Sequence, residues 1–253
     1  MNRYPFPSRT AWFSALALIA GILHTPISHA KGGLRLAQTR VVFDAQQPNA
    51  KVMILNNSPQ VYLVKASVLN TPDPQDITAA PFMVTPPLFR LESESQHTAL
   101  VVRYGATQLP ADRESVFYLS FLAIPASVKT DEPEQNMTMA QISIGIRNII
   151  KLFYRPAGLP MNAESAYSKL TFQQAGGRIE VSNPTPYYVT LAQVTVNKQL
   201  LDVSQHDPMI APFSQQSYPF SGRGTEVEWS AITDFGDMSP RYHGNLSAQG
   251  EGK

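Results

Sequence analysis

"ISIGIRNIIKLFYRP", residues 142–156, alternates Ile142, Ile144 and Ile146 with Ser143, Gly145 and Arg147. That period of two marks a β-strand with one apolar face. The run then changes character. Lys151 and Arg155 are interleaved with Leu152, Phe153 and Tyr154, and Pro156 ends it. A core strand has little use for two cations near its end, and a surface strand has little use for three isoleucines on one side. On periodicity alone the isoleucines face either this protein's own core or a partner.

Similar strand-like runs recur on both sides: "RVVFD" (40–44), "KVMILNN" (51–57), "YLVKASVLN" (62–70), "TALVVRYG" (98–105), "SVFYLSFLAIP" (115–125), "RIEVSN" (178–183) and "YYVTLAQVTV" (187–196). Turn residues separate them, such as Asn56-Asn57-Ser58-Pro59, Thr71-Pro72-Asp73-Pro74 and Thr85-Pro86-Pro87. No stretch of ten or more residues after the first thirty shows helical periodicity, and 21 prolines suit strand edges and turns. The spacing predicts an all-β chain of sandwich type. Pro156, Gly158 and Pro160 form a short stiff linker that places a domain boundary near residue 157. The expected organisation is a first domain over 31–156, a second over 157–245 and a polar tail over 246–253. The stretch "RYHGNLSAQGEGK" from Arg241 reads as polar and frayed, and no apolar closing strand is evident after "FGDMSP".

The first thirty residues read as a secretory signal. Arg3 and Arg9 form a basic region, Ala11 to Leu23 is apolar but too short to span a bilayer, and Ser28-His29-Ala30 supplies small residues for cleavage. No second apolar run follows that would anchor the mature chain. Of 20 basic residues 18 then remain against 19 acidic, a net charge of about −1. Near-neutrality argues against nucleic-acid binding. The chain has no cysteine, so stability in an oxidising compartment must come from cores rather than disulfides. His97, His206 and His243 are far apart and have no metal-ligand spacing; neither a nucleophile elbow nor a phosphate-cradling glycine loop is present. The expectation is a non-enzyme without metal or cofactor.

"TPPLFRLE" (85–92), "LPADRESVFYLSFLAIP" (109–125), "IKLFYRP" (150–156), "NPTPYYVTL" (183–191) and "ITDFG" (232–236), in this order, resemble the periplasmic chaperones of the chaperone–usher pilus pathway. The resemblance implies two immunoglobulin-like sandwiches set at an angle with a cleft between them. It implies a periplasmic, ATP-independent chaperone whose partners are pilus subunits lacking their last strand, and an outer-membrane usher that receives them. Ile142, Ile144 and Ile146 fall where the family places its groove-filling side chains, on a donated strand over 138–147. Arg40 and Lys151 match the pair that grips the subunit's C-terminal carboxylate, an anchor that sets register. Glu114, Arg155 and Asp234 match an interdomain ionic network. The exposed donor strand also permits self-association.

Two features depart from the family pattern. The insert "PASVKTDEPEQNMTMAQ" (125–141) predicts a long mobile loop of the kind that elsewhere accompanies a disulfide, so the long-loop and short-loop subclasses both stay open. Lys151 is five residues from Ile146, which alternation puts on the opposite face; a bulge or strong twist near Arg147-Asn148 would reconcile them. The competing expectation is a secreted two-domain fibre subunit or adhesin. A carbohydrate-binding module is a third, disfavoured because the chain has only two tryptophans and Trp12 leaves with the signal.

Overall fold

The computed structural model describes residues 33–76, 78–126 and 144–248. The segment read as a signal, most of the insert, and Ile142 lie outside the described residues. Two β-sandwiches follow one another. In the first, one sheet has the order β1 (Leu34–Leu36), β3 (Asn49–Asn56), β7 (Ser95–Arg103), β5 (Phe82–Thr85). The facing sheet has the order β2 (Arg40–Asp44), β9 (Ile146–Arg155), β8 (Ser115–Pro125), β4 (Tyr62–Leu69), β6 (Leu88–Leu91). All neighbours are antiparallel except β2 and β9, which run parallel.

Alternation explains the core. Phe117, Leu119, Phe121 and Ala123 of β8 and Tyr62, Val64 and Ala66 of β4 turn inward to meet Val52, Ile54, Ala99 and Val101 of the other sheet. Each large side chain so buried contributes about 1.5–3 kcal/mol. Phe82 joins the sheets, with its ring edge-on to Phe43 and to Phe117 at 5.1 Å each.

The second sandwich pairs β15 (Ser214–Pro219), β11 (Arg178–Asn183), β10 (Thr171–Ala175) and β18 (Ser247–Ala248) against β13 (Gln199–Leu201), β12 (Val189–Val196), β16 (Glu226–Ala231) and β17 (Tyr242–Asn245). β14 (Met209–Ile210) adds to β12. Ile179, Val181, Val194, Tyr218 and Trp229 fill its core, and the Trp229 indole N–H donates to the Tyr167 carbonyl at 2.8 Å. A single turn of helix, α1 (Ala163–Tyr167), leads in from the linker; the Asn162 side chain caps it by accepting the Ser165 N–H at 2.8 Å.

The end of the chain differs from the frayed tail expected. Tyr242–Asn245 pairs antiparallel with β16, and Ser247–Ala248 pairs parallel with β10. These edge strands pair on one side only, so backbone bonding holds them without an apolar run to announce them. "SQQSYP", an equally polar edge strand, escapes a periodicity reading for the same reason.

Candidate functional site

β9 serves two neighbours unequally. Along β8 its pairing is continuous, from Ser115↔Tyr154 to Ala123↔Ile146. Along β2 it begins only at Arg40↔Lys151 and ends at Asp44↔Arg155. Among the described residues nothing pairs with 146–150 on the side in line with β2, just before its first residue, and that side is open. An open edge presents unpaired N–H and C=O groups, a template for another strand. The unbroken β8 register has no bulge at Arg147-Asn148, and regular alternation already accounts for both rows.

Ile146, Asn148, Ile150, Leu152 and Tyr154 lie on the face shared with Ala123, Phe121, Leu119, Phe117 and Ser115. Leu152 and Tyr154 are inside the core, and Ile150 packs partly against it. Towards the open end the same row leaves the protein: Ile146 is 42% exposed and Ile144 73%. The row thus changes from core to surface without changing face.

The opposite face holds the cations. Register puts Arg40 level with Lys151, so both project from adjacent strands at the end of the open edge. Both are half-buried, and neither forms an ion pair among the described residues. Arg40 stacks over Phe153 at 5.9 Å and donates from Nη1 to the Ile232 carbonyl at 3.3 Å, but its Nε is buried without a partner. Burial lowers the pKa of each group from its ordinary value; Asp207 partly offsets this at Lys151, and Arg40 adds to it. Two adjacent, partly dehydrated cations with an orphaned donor are set to take an anion.

The third group lies where the sandwiches meet. Arg155, 22% exposed in its side chain, donates from Nε to Glu114 Oε1 at 2.8 Å. Its Nη1 and Nη2 form a fork on Asp234 at 2.8 and 3.0 Å. Glu114 is 3% exposed and accepts the Tyr188 N–H at 2.9 Å with its other oxygen. Burial raises the Glu114 carboxyl above its ordinary value although Arg155 and the Tyr188 N–H pull it down. Burial alone would lower the Arg155 pKa, but Asp234 and Glu114 hold it above the ordinary value. One guanidinium therefore ties Glu114, from the first sandwich, to Asp234 of the second.

Residues 33–160 match the family described as pili and flagellar-assembly chaperone, PapD N-terminal domain. Residues 165–243 match the pili assembly chaperone PapD C-terminal domain. The chain belongs to the pilus-assembly chaperone family. It is 31% identical over 233 residues to the chaperone protein FimC of Escherichia coli O6:H1, covering 90% of this chain and 92% of that one. With the chaperone protein HifB of Haemophilus influenzae it shares 33% over 242 residues, 93% of this chain and 96% of the relative. Among solved structures it is similar to a chain of the Salmonella enterica SafA pilin–SafB chaperone complex, with TM-score 0.71, 31% identity, and coverage of 85% of this chain and 96% of that chain. These matches favour a chaperone over the competing reading of a fibre subunit or adhesin.

Several contacts of this pilus-assembly chaperone were not legible in its sequence. The Tyr187 ring stacks under Arg155 at 5.1 Å, and the Tyr188 ring lies 5.7 Å from Phe153. The Glu114 N–H donates to the Pro186 carbonyl at 2.9 Å. All three involve "NPTPYY", a motif that carried the resemblance without indicating what it would touch. Among the described residues no metal-ligand cluster occurs, and no helix is long and apolar enough to cross a membrane.

Proposed function

We propose that this periplasmic chaperone lends β9 to an incomplete immunoglobulin-like pilus subunit, shields it from aggregation and passes it to an outer-membrane usher. The observation that carries the reading is the open edge at Ile146–Ile150, ending at Arg40 and Lys151, neither of which forms an ion pair among the described residues. A subunit strand on that edge gains backbone hydrogen bonds, while Ile144 and Ile146 enter the groove left by its missing strand. A carboxylate at its C-terminus reaches Arg40 and Lys151 only if the strand runs parallel to β9, because the cations stand at the C-terminal end of the open segment. The anchor fixes register, which alternation makes decisive, since a one-residue slip would turn the isoleucines out of the groove. Glu114, Arg155 and Asp234 hold the second domain at the angle the cleft requires.

Ile144→Lys tests this. At 73% exposure the change should move the free chaperone's unfolding free energy by no more than about 0.5 kcal/mol. Capture of pilus subunits in a periplasmic pull-down should collapse, because an ammonium would have to enter an apolar groove. A folded mutant with undiminished capture would sink the donor-strand reading.

A further inference from the structure

The open face of the β9 sheet carries a second pair of cations. Lys65 is level with Leu122, and Leu122 with Arg147, so the two cations flank Leu122 in one row across three strands. Four residues farther along β9, Lys151 and Arg40 occupy a later row on the same face. The separation along the strand is about 13 Å at roughly 3.3 Å per residue. Lys65 and Arg147 line a cavity of about 310 Å³ with Ser67, Leu122, Asp76 and Thr78. Both are exposed, and neither forms an ion pair among the described residues. Arg147 Nη1 donates to Ser120 Oγ at 3.0 Å, which lays the guanidinium over the sheet.

The carboxylate that shares the cavity is occupied by its own loop. Asp76 accepts the Thr71 N–H and hydroxyl at 3.0 and 3.1 Å, the Thr78 N–H at 2.9 Å, and the Thr78 hydroxyl. These bonds, the Thr78 hydroxyl first among them, lower its pKa to about 2. Among the described residues the two cations are left without a counter-charge bonded to them.

We infer that Lys65 and Arg147 form a second anion anchor, which takes an acidic side chain about four residues before the C-terminus of the bound subunit strand. The inference rests on the donor-edge reading proposed above. A strand parallel to β9, with its terminal carboxylate at Arg40 and Lys151, brings the residue about four positions earlier level with Arg147. Residues level across a parallel pair project from the same face, so this side chain stands on the sheet face that carries Arg147 and not in the groove. Neighbouring strands are about 4.8 Å apart, within reach of an arginine fork. Lys65, two strands farther across, adds its field. The isoleucines suit any subunit lacking a strand, whereas this row discriminates between subunits by charge.

The test uses fluorescein-labelled ten-residue peptides of alternating apolar residues with a free C-terminal carboxylate, carrying Glu, Gln or Lys four residues before the end. Anisotropy titration with the purified chaperone should give the Glu peptide about tenfold tighter binding than the Gln peptide, with the Lys peptide weaker still. Arg147→Ala should erase the preference, bringing the Glu peptide to the affinity of the Gln peptide. Arg147→Gln, which can keep the Ser120 bond, should do the same. Amidating the C-terminus should weaken all three peptides. Equal affinities for the three peptides, with the amidation effect intact, would overturn the second anchor and leave the donor-edge reading standing. Absence of binding by every peptide, or binding indifferent to amidation, would overturn both.

Discussion

Glu114 shows what a single residue contributes at the domain junction. Its side chain is almost wholly buried, and burial raises its pKa against the pull of Arg155 and the Tyr188 N–H. The folded chain therefore takes up this proton at a higher pH than the unfolded chain. The sign follows: the group's contribution to stability is fully present below the unfolded pKa and is lost as the pH rises through the folded one. The stability of wild type relative to Glu114→Gln should accordingly grow between pH 7 and pH 4, as measured by denaturant unfolding at both. A difference that shrinks on acidification would mean that Arg155 outweighs desolvation. Asn56 and Asn183 teach a related lesson. "NNSP" reads as a turn, and the chain leaves its strand after Asn56 as it does after Asn183 in "NPTP". Each also buries an asparagine whose amide bonds neighbouring carbonyls, Gln60 and Glu92 in one case and Tyr187, Ile210 and Ala211 in the other. Turn chemistry was legible at Asn56; burial was not legible at either residue, because it depends on what packs over the turn.

At the scale of the element, β9 is one strand with two thermodynamic roles. Leu152 is wholly buried, so Leu152→Ala should destabilise the free chaperone by about 2–5 kcal/mol. Ile146, on the same face six residues earlier, is 42% exposed, and Ile146→Ala should cost about 0.5 kcal/mol or less in the free protein. If the subunit groove covers Ile146 as proposed, the difference should narrow with subunit bound. Chemical unfolding of both mutants, free and in complex, measures it. Comparable losses in the free protein would place Ile146 in the core. The alternation of the strand was plain in the sequence. Where its row leaves the core was not, because that point is set by the length of β2, which stops pairing at Lys151.

At the scale of the molecule, the two domains are joined by charge and by a close backbone approach. Removing Glu114 leaves Arg155 half-paired in a largely buried site, and Glu114→Ala should cost about 3 kcal/mol or more. Asp234→Ala should cost less, about 1–2 kcal/mol, since its side chain is 32% exposed and water replaces part of the pairing. Gly236 brings the Asp234 loop against the first domain. It has φ +93°, and a Cβ there would run into the Thr39 hydroxyl. Gly236→Ala should therefore lift the loop, lower the thermal midpoint and loosen the Arg155–Asp234 fork. Because both changes act on one contact, the double mutant Gly236→Ala/Asp234→Ala should lose less than the sum of the single losses. Full additivity in thermal unfolding would show that loop and fork act separately.

The sequence by itself determined the all-β class, most of the strand runs and the resemblance that named Arg40, Lys151, Glu114, Arg155 and Asp234. Those follow from local alternation and from short motifs, which are properties of neighbouring residues. The tertiary structure alone decided which side of β9 is open, that Arg40 and Lys151 stand level with each other, and that Lys65 and Arg147 share a cavity. It also decided that the polar end of the chain pairs into both sheets of the second domain. Strand register and edge position arise from pairings between residues far apart in the chain, and no local pattern encodes them. A cation's partner, or its lack of one, is therefore settled only when the sheets are assembled.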